Sequence, residues 1–166
     1  MKEKLFGDKS RFAICIKEAE KVKKFYFRYF FCNTSIGDFK KSGDLATNVK
    51  SYIELLGRID SLYEKKFISM THREIFDNIL DCIDDNYSLE EQNILVERMN
   101  RFAFSDDKLG NSLTVLCYKD QKNSVIFLIY KMDGKHKPKF YSFDIEFDYF
   151  KQVYSEFIEY VKEFYE

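Results

Sequence analysis

His72 and His136 are the only histidines in the chain, which leaves little room for proton-transfer or metal chemistry. His72 sits in Thr71-His-Arg-Glu74, a helix-opening sequence in which an exposed polar residue is ordinary. His136 lies between Lys135 and Lys137, whose charges repel a cation. Cys15, Cys32, Cys82 and Cys117 stand far apart among apolar or aromatic neighbours. Zinc ligation asks for close pairs and a secreted scaffold for a denser set, so four buried, reduced thiols are expected. A Cys–His nucleophile would need the fold to unite its partners, and nothing local prepares one. Gly7, Gly37, Gly43, Gly57, Gly110 and Gly134 are isolated, so no phosphate-cradling loop is present. Asp84-Asp85 and Glu90-Glu91 offer oxygen ligands without the alternating spacing of a calcium loop. Lys23-Lys-Phe-Tyr-Phe-Arg28 interleaves bases with rings as an RNA-binding strand does. With no basic helix or RNP-type motif beside it, it reads as a buried strand entered through solvated lysines. No catalytic residue, metal ligand or cofactor site is expected.

The acids carry the strongest residue-level signal. Residues 74–91 hold seven Asp and Glu and no Lys or Arg. On a helix opened by Thr71, the carboxylates Glu74, Asp77, Asp81, Asp84 and Asp85 fall opposite the apolar stripe. Glu74 and Asp77 suit the positive start of that helix, whereas Asp81, Asp84 and Asp85 crowd its negative end. Like charges four residues apart each cost about 0.2–0.5 kcal/mol. Two readings follow: a solvated face, or a docking surface for a basic partner. On the second, Asp81, Asp84, Asp85, Glu90 and Glu91 supply charge and Tyr87 an aromatic anchor.

The elements that must position these residues show in the hydrophobic pattern. Phe12, Ile14 and Ile16 alternate with polar or small residues, as in a half-buried strand. Phe25 to Cys32 places Phe25, Phe27, Tyr29 and Phe31 on one side and Tyr26 and Phe30 on the other, suiting a central strand covered on both faces. Asn33-Thr34-Ser35 is read as a turn. After Gly43 a helix is expected with Leu45, Val49, Tyr52, Ile53, Leu56 and Ile59 on its apolar face. The helix from Thr71 has Ile75, Phe76, Ile79, Leu80 and Ile83 inward. Ser88-Leu-Glu-Glu91 repeats the capping signature, with Ile94, Leu95 and Met99 as the next inner face. Residues 101–104 are read as a short strand rather than a helix end. Leu113–Tyr118, Val125–Lys131 and Phe140–Ile145 form an antiparallel meander with turns at Asp120–Asn123 and Asp133-Gly134. A final helix over 147–164 turns Phe150, Tyr154, Phe157, Ile158, Val161 and Phe164 inward. The expected fold class is α+β: one domain over 1–166, a mainly antiparallel sheet with helices packed on it, and a C-terminal meander followed by a long helix.

Composition sets the outer limits. The chain has 166 residues, 45% hydrophobic, 18% aromatic and 33% charged, with a single proline. That favours one folded core built from large rings over disorder. A net charge of −1 gives no global attraction to nucleic acid or an anionic membrane, and no membrane contact is expected. The N-terminus lacks the apolar run of a signal peptide, so a cytoplasmic location is expected.

Leu5-Phe-Gly-Asp-Lys-Ser-Arg-Phe-Ala-Ile14 resembles the opening of the immunity 42 family of bacterial polymorphic-toxin systems. Phe30 and Ile36-Gly-Asp-Phe39 are similar to that family's second strand and hydrophobic-Gly-Asp-aromatic turn, and Leu45 and Val49 follow as its first helix would. Phe or Tyr stands here where such proteins commonly have Trp. The resemblance implies a stoichiometric inhibitor that binds a cognate protein toxin, with no catalytic residue to carry over. An acidic surface would suit a toxin with a basic cleft. The residues alone leave other readings open: an adaptor domain for another bacterial protein, a small-molecule sensor drawn from the aromatic content or, least supported, an enzyme.

Overall fold

The computed structural model describes residues 3–19, 24–37, 39, 42–80, 87–104, 113–132 and 137–165. Among them the strands divide into two antiparallel sheets rather than one. The first contains β1 (Glu3–Asp8), β2 (Phe12–Glu18), β3 (Phe25–Phe31) and β4 (Thr34–Ile36) in that order, and β5 (Ser42–Gly43) also pairs with β3. The second is the expected meander of β6 (Leu113–Lys119), β7 (Ser124–Lys131) and β8 (Lys139–Glu146). Between the sheets in sequence lie α1 (Leu45–Arg58), 3₁₀ turns at Ile59–Ser61 and Lys65–Ser69, α2 (His72–Leu80) and α3 (Leu89–Phe102). Helix α4 (Phe147–Tyr165) closes the chain.

Strand register explains the core. Phe12 lies opposite Phe31, Ile14 opposite Tyr29 and Ile16 opposite Phe27, so all six side chains share one face of the first sheet. On that face α4 places Phe150 at 5.1 Å and Tyr154 at 6.1 Å from the Phe12 ring, and Phe157 at 5.4 Å from Phe6. Phe127 of β7 joins from the second sheet, 4.8 Å from Phe31 and 5.6 Å from Phe150. Tilted and edge-on ring pairs of this kind add about 0.5–1.5 kcal/mol each to their burial. The opposite face of the second sheet receives Phe76 of α2 against Tyr130 and Phe140, and Phe67 against Tyr118. The second sheet is therefore covered on both sides.

Several local expectations change. β1 is not legible as a strand, because Phe6 is its only buried residue and Leu5 beside it is exposed; Gly7 has a separate role. That glycine adopts a φ of +80°, and a Cβ there would lie 2.5 Å from the Phe12 carbonyl oxygen and 2.6 Å from Val153. The close approach lets Tyr149 of α4 accept a hydrogen bond from the Asp8 amide at 2.7 Å and donate one to the Phe12 carbonyl at 3.3 Å. β3 is central, but only its Phe25, Phe27, Tyr29 and Phe31 face enters the core; Tyr26, Arg28 and Phe30 are half-exposed. The turn after β3 is Cys32-Asn33, with φ values of 47° and 68°, the geometry of a tight two-residue hairpin. Cys32 is consequently exposed, unlike the buried Cys15 and Cys117, while Cys82 lies outside the described residues. Burial pushes the Cys117 thiol up to about 12. On α1 the buried stripe is Leu45, Asn48, Tyr52 and Leu55, which turns Ile53 outward. α3 continues through Phe102, so the strand read at 101–104 reduces to a single bridge from Ala103 to Leu116. The Asp133-Gly134 turn and Ile83 lie outside the described residues, as does the Phe164 side chain.

Candidate partner-binding surface

The acidic region is organised by two helix starts. Both predicted capping boxes form: Glu74 accepts the Thr71 amide at 2.7 Å, and Glu91 accepts the Ser88 amide at 2.8 Å. The Thr71 amide and hydroxyl hold the Glu74 carboxyl below its ordinary value; the Ser88 hydroxyl and amide do the same for Glu91. Asp77 pairs with Arg73 at 2.8 Å, a base just outside the acidic block. Three of the seven acids thus have structural partners. Asp81, Asp84 and Asp85 lie outside the described residues. Tyr87, Glu90 and Glu91 are exposed on one helix start, and Glu90 has no ion pair among the described residues.

Sequence reading missed the apolar component of this surface. Leu89 is 75% exposed, Ile94 60%, Tyr87 40% and Val96 39%. Ile94 was expected to point inward with Leu95 and Met99, yet the latter two are only partly covered and Ile94 faces solvent. The signal was present in the spread of apolar residues around α3, too wide for a single inner stripe. Only Phe102 of this 14-residue helix is buried.

Polar contacts hold α3 to the body instead. Arg98 reaches back to Glu64 through two hydrogen bonds of 2.9 and 3.0 Å, and to the Asn78 carbonyl at 3.1 Å. Burial would raise the Glu64 carboxyl, but Arg98 and Lys66 together outweigh it and leave the group below its ordinary value. Glu97, exposed between Ile94 and Arg98, adds another carboxylate without an ion pair among the described residues. The result is a helix whose outer face mixes large apolar side chains with acids.

His72 is half-exposed at the start of α2, and His136 is outside the described residues. Among the described residues no group of three or more His, Cys, Asp or Glu side chains gathers as a metal site. No described helix is long and apolar enough to cross a membrane.

The sequence profile of immunity protein 42 matches residues 1–160, nearly the whole chain. The chain belongs to the immunity protein 42 family. It is an immunity protein directed against a bacterial toxin, in keeping with the opening motif at Leu5–Ile14. No curated protein sequence matches it. Among solved structures, the crystal structure of CdiI from Burkholderia dolosa AUO158 is similar, with a TM-score of 0.59 at 10% identity over 94% of this chain and 99% of that one. At that identity the likeness concerns the fold.

Proposed function

We propose that this chain neutralises a cognate protein toxin in the cytoplasm by stoichiometric contact, without turnover, and that its acidic region faces the toxin. The observation that carries this reading is α3, which leaves Tyr87, Leu89, Ile94 and Val96 exposed beside Glu90, Glu91 and Glu97. Apolar side chains in water contribute nothing to the free protein, and large ones become binding energy when a partner covers them. The acids draw in a basic surface and fix its orientation. Asp81, Asp84 and Asp85 extend the same acidic segment in sequence and join Tyr87, Glu90 and Glu91 as the proposed contacts. Occlusion of the toxin, or capture of one of its conformations, requires nothing more than this surface held rigidly.

Co-expression with the toxin domain encoded beside the gene tests the reading. The chain is expected to rescue growth and to co-purify with the toxin at a fixed ratio. Replacing Asp84, Asp85 and Glu90 together by Lys is expected to weaken binding by roughly tenfold or more, chiefly through slower association at low salt. Failure to rescue growth would remove the toxin partner; unchanged affinity in the triple variant would remove the surface.

A further inference from the structure

One cross-strand row of the second sheet reads Tyr118, Ile126 and Asp144, because Tyr118 lies opposite Ile126 and Ile126 opposite Asp144. Directly opposed residues point to the same side of a sheet. This is the side on which Phe67 and α2 pack, and the row emerges from beneath them into an open groove of about 370 Å³. Its floor is aromatic: Tyr63 lies 6.2 Å from Phe67 and 6.5 Å from Tyr118, and Phe67 lies 5.2 Å from Tyr118. Its walls carry Asp120 from the β6–β7 turn and Asp144 from β8. One oxygen of Asp120 accepts the Lys122 and Ser124 amides at 2.9 and 2.8 Å. Asp144 is exposed and has no ion pair among the described residues. The Tyr118 hydroxyl is pushed up to about 12 by burial first, then by Asp120, Tyr63 and Asp144, so both carboxylates bear on the aromatic floor.

The same sheet face already holds a cation this way. The Arg73 guanidinium sits 5.4 Å from the centres of both Tyr130 and Phe140 while pairing with Asp77 at 2.8 Å. The groove offers related components, the half-buried Tyr63 ring packed on the buried Tyr118 and Phe67 and a carboxylate, with no Arg among its described lining residues. We infer that this groove receives an arginine side chain of the protein partner, its guanidinium lying against the half-buried Tyr63 ring and paired with Asp144, with the buried Tyr118 and Phe67 holding Tyr63 in place. Arginine fits better than lysine because its planar, weakly hydrated head stacks on rings and forks onto a carboxylate. Ile68, exposed at the rim, supplies apolar contact for the surrounding backbone. Lys122 and His72 also line the groove. Lys122 is exposed on a long stem, so it competes with the incoming cation and can swing clear of it. The partner's identity as a basic protein rests on the proposed function; the groove's preference for a guanidinium does not.

The test titrates Nα-acetyl-arginine amide into the isotopically labelled full chain and follows the Tyr63, Phe67, Tyr118 and Asp144 signals by NMR. Saturable shifts confined to the groove are expected, with half-saturation in roughly the millimolar range for a single side chain. The citrulline analogue, similar in shape but uncharged, is expected to leave them unmoved. Asp144→Asn should weaken the site about twofold to fivefold, as for an exposed ion pair, and Lys122→Ala should strengthen it. Equal shifts with citrulline, or an Asp144→Asn chain that titrates like the parent, would overturn the inference. A second arm measures toxin binding by Asp144→Asn and Asp144→Lys chains whose folding is checked by their NMR spectra. Weaker binding in the order parent, Asn, Lys supports the groove. A toxin complex indifferent to both substitutions counts against the groove alone, whereas a groove that fills with arginine amide in a chain binding no toxin counts against the toxin partner alone.

Discussion

Helices α4 and α3 are built from similar residues and put to opposite uses. α4 buries Phe147, Phe150, Val153, Tyr154, Phe157 and Val161, spaced three and four apart so that they form one stripe against the first sheet. α3 spreads Leu89, Ile94, Leu95, Val96, Met99 and Phe102 around its circumference and buries only the last. Their attachments differ accordingly. α4 is fixed by rings, with Phe157 touching Phe6, Phe27 and Tyr154. α3 is fixed by the Phe102 anchor, a capping box and the Arg98–Glu64 pair. One helix makes the fold; the other is presented by it. Apolar surface left in water gains nothing for stability, and on the proposed function its use on α3 is intermolecular.

The sharpest way to break the comparison is to truncate each helix at its attachment. Phe157→Ala removes a fully buried ring at the junction of α4 and the first sheet and is expected to cost about 3–5 kcal/mol. A large drop in the thermal midpoint would report it; a loss below about 1 kcal/mol would mean that α4 is no more essential to the core than α3. Arg98→Met keeps much of the side-chain volume but leaves Glu64 with Lys66 alone and takes the Arg98 donor from the Asn78 carbonyl. With both charges part-exposed, a loss of roughly 1–3 kcal/mol is expected, below that of a fully buried pair. The pH profile sharpens this. Because Glu64 has a folded-state value below its ordinary 4.5, its contribution is present above about 4.5 and is lost as pH falls through the lower folded value. The Arg98→Met chain keeps only the Lys66 share of that increment, so the gap between the two stability curves narrows in acid. Parallel curves would show that Arg98 acts through packing on Phe102, 5.5 Å away, and not through Glu64.

How much of this was legible in the sequence follows the same division. Where burial is one-sided and periodic, as in α4, spacing alone locates the element; β6 and β7, buried on both faces, show instead as continuous apolar, β-branched runs between turn residues. The capping boxes at Thr71 and Ser88 were equally readable, since their chemistry is local. β1 carries no periodic signal, since only Phe6 is buried, and the need for Gly7 lies in Val153 and the Phe12 carbonyl, both supplied by the tertiary fold. The outward faces of Ile53 and Ile94 are not legible from residue type, because an apolar side chain on a helix is not necessarily a buried one. The acidity of Glu90 and Glu91 is legible from residue type alone, whereas the tether through Glu64 links residues 34 apart and leaves no local trace.

Ile94 gives the smallest expected effect on stability and the most telling one on function. Its side chain is largely in water, so Ile94→Ser should move the unfolding free energy by no more than about 0.5 kcal/mol, the range of ordinary surface changes. A helix that merely tolerated a stray isoleucine would also bind toxin unchanged after the substitution. A docking helix would not: covering a large aliphatic side chain at an interface is worth about 1.5–3 kcal/mol, so toxin affinity should fall by roughly tenfold or more through faster dissociation. Ile53 is the control. It is exposed to a similar degree on α1, away from the acidic segment in sequence. If Ile53→Ser and Ile94→Ser weaken the toxin complex equally, exposure alone does not distinguish α3, and its face has no special claim to the interface. If only Ile94→Ser does, at unchanged stability, the difference between a helix that builds the protein and one that faces its partner is established by a single side chain on each.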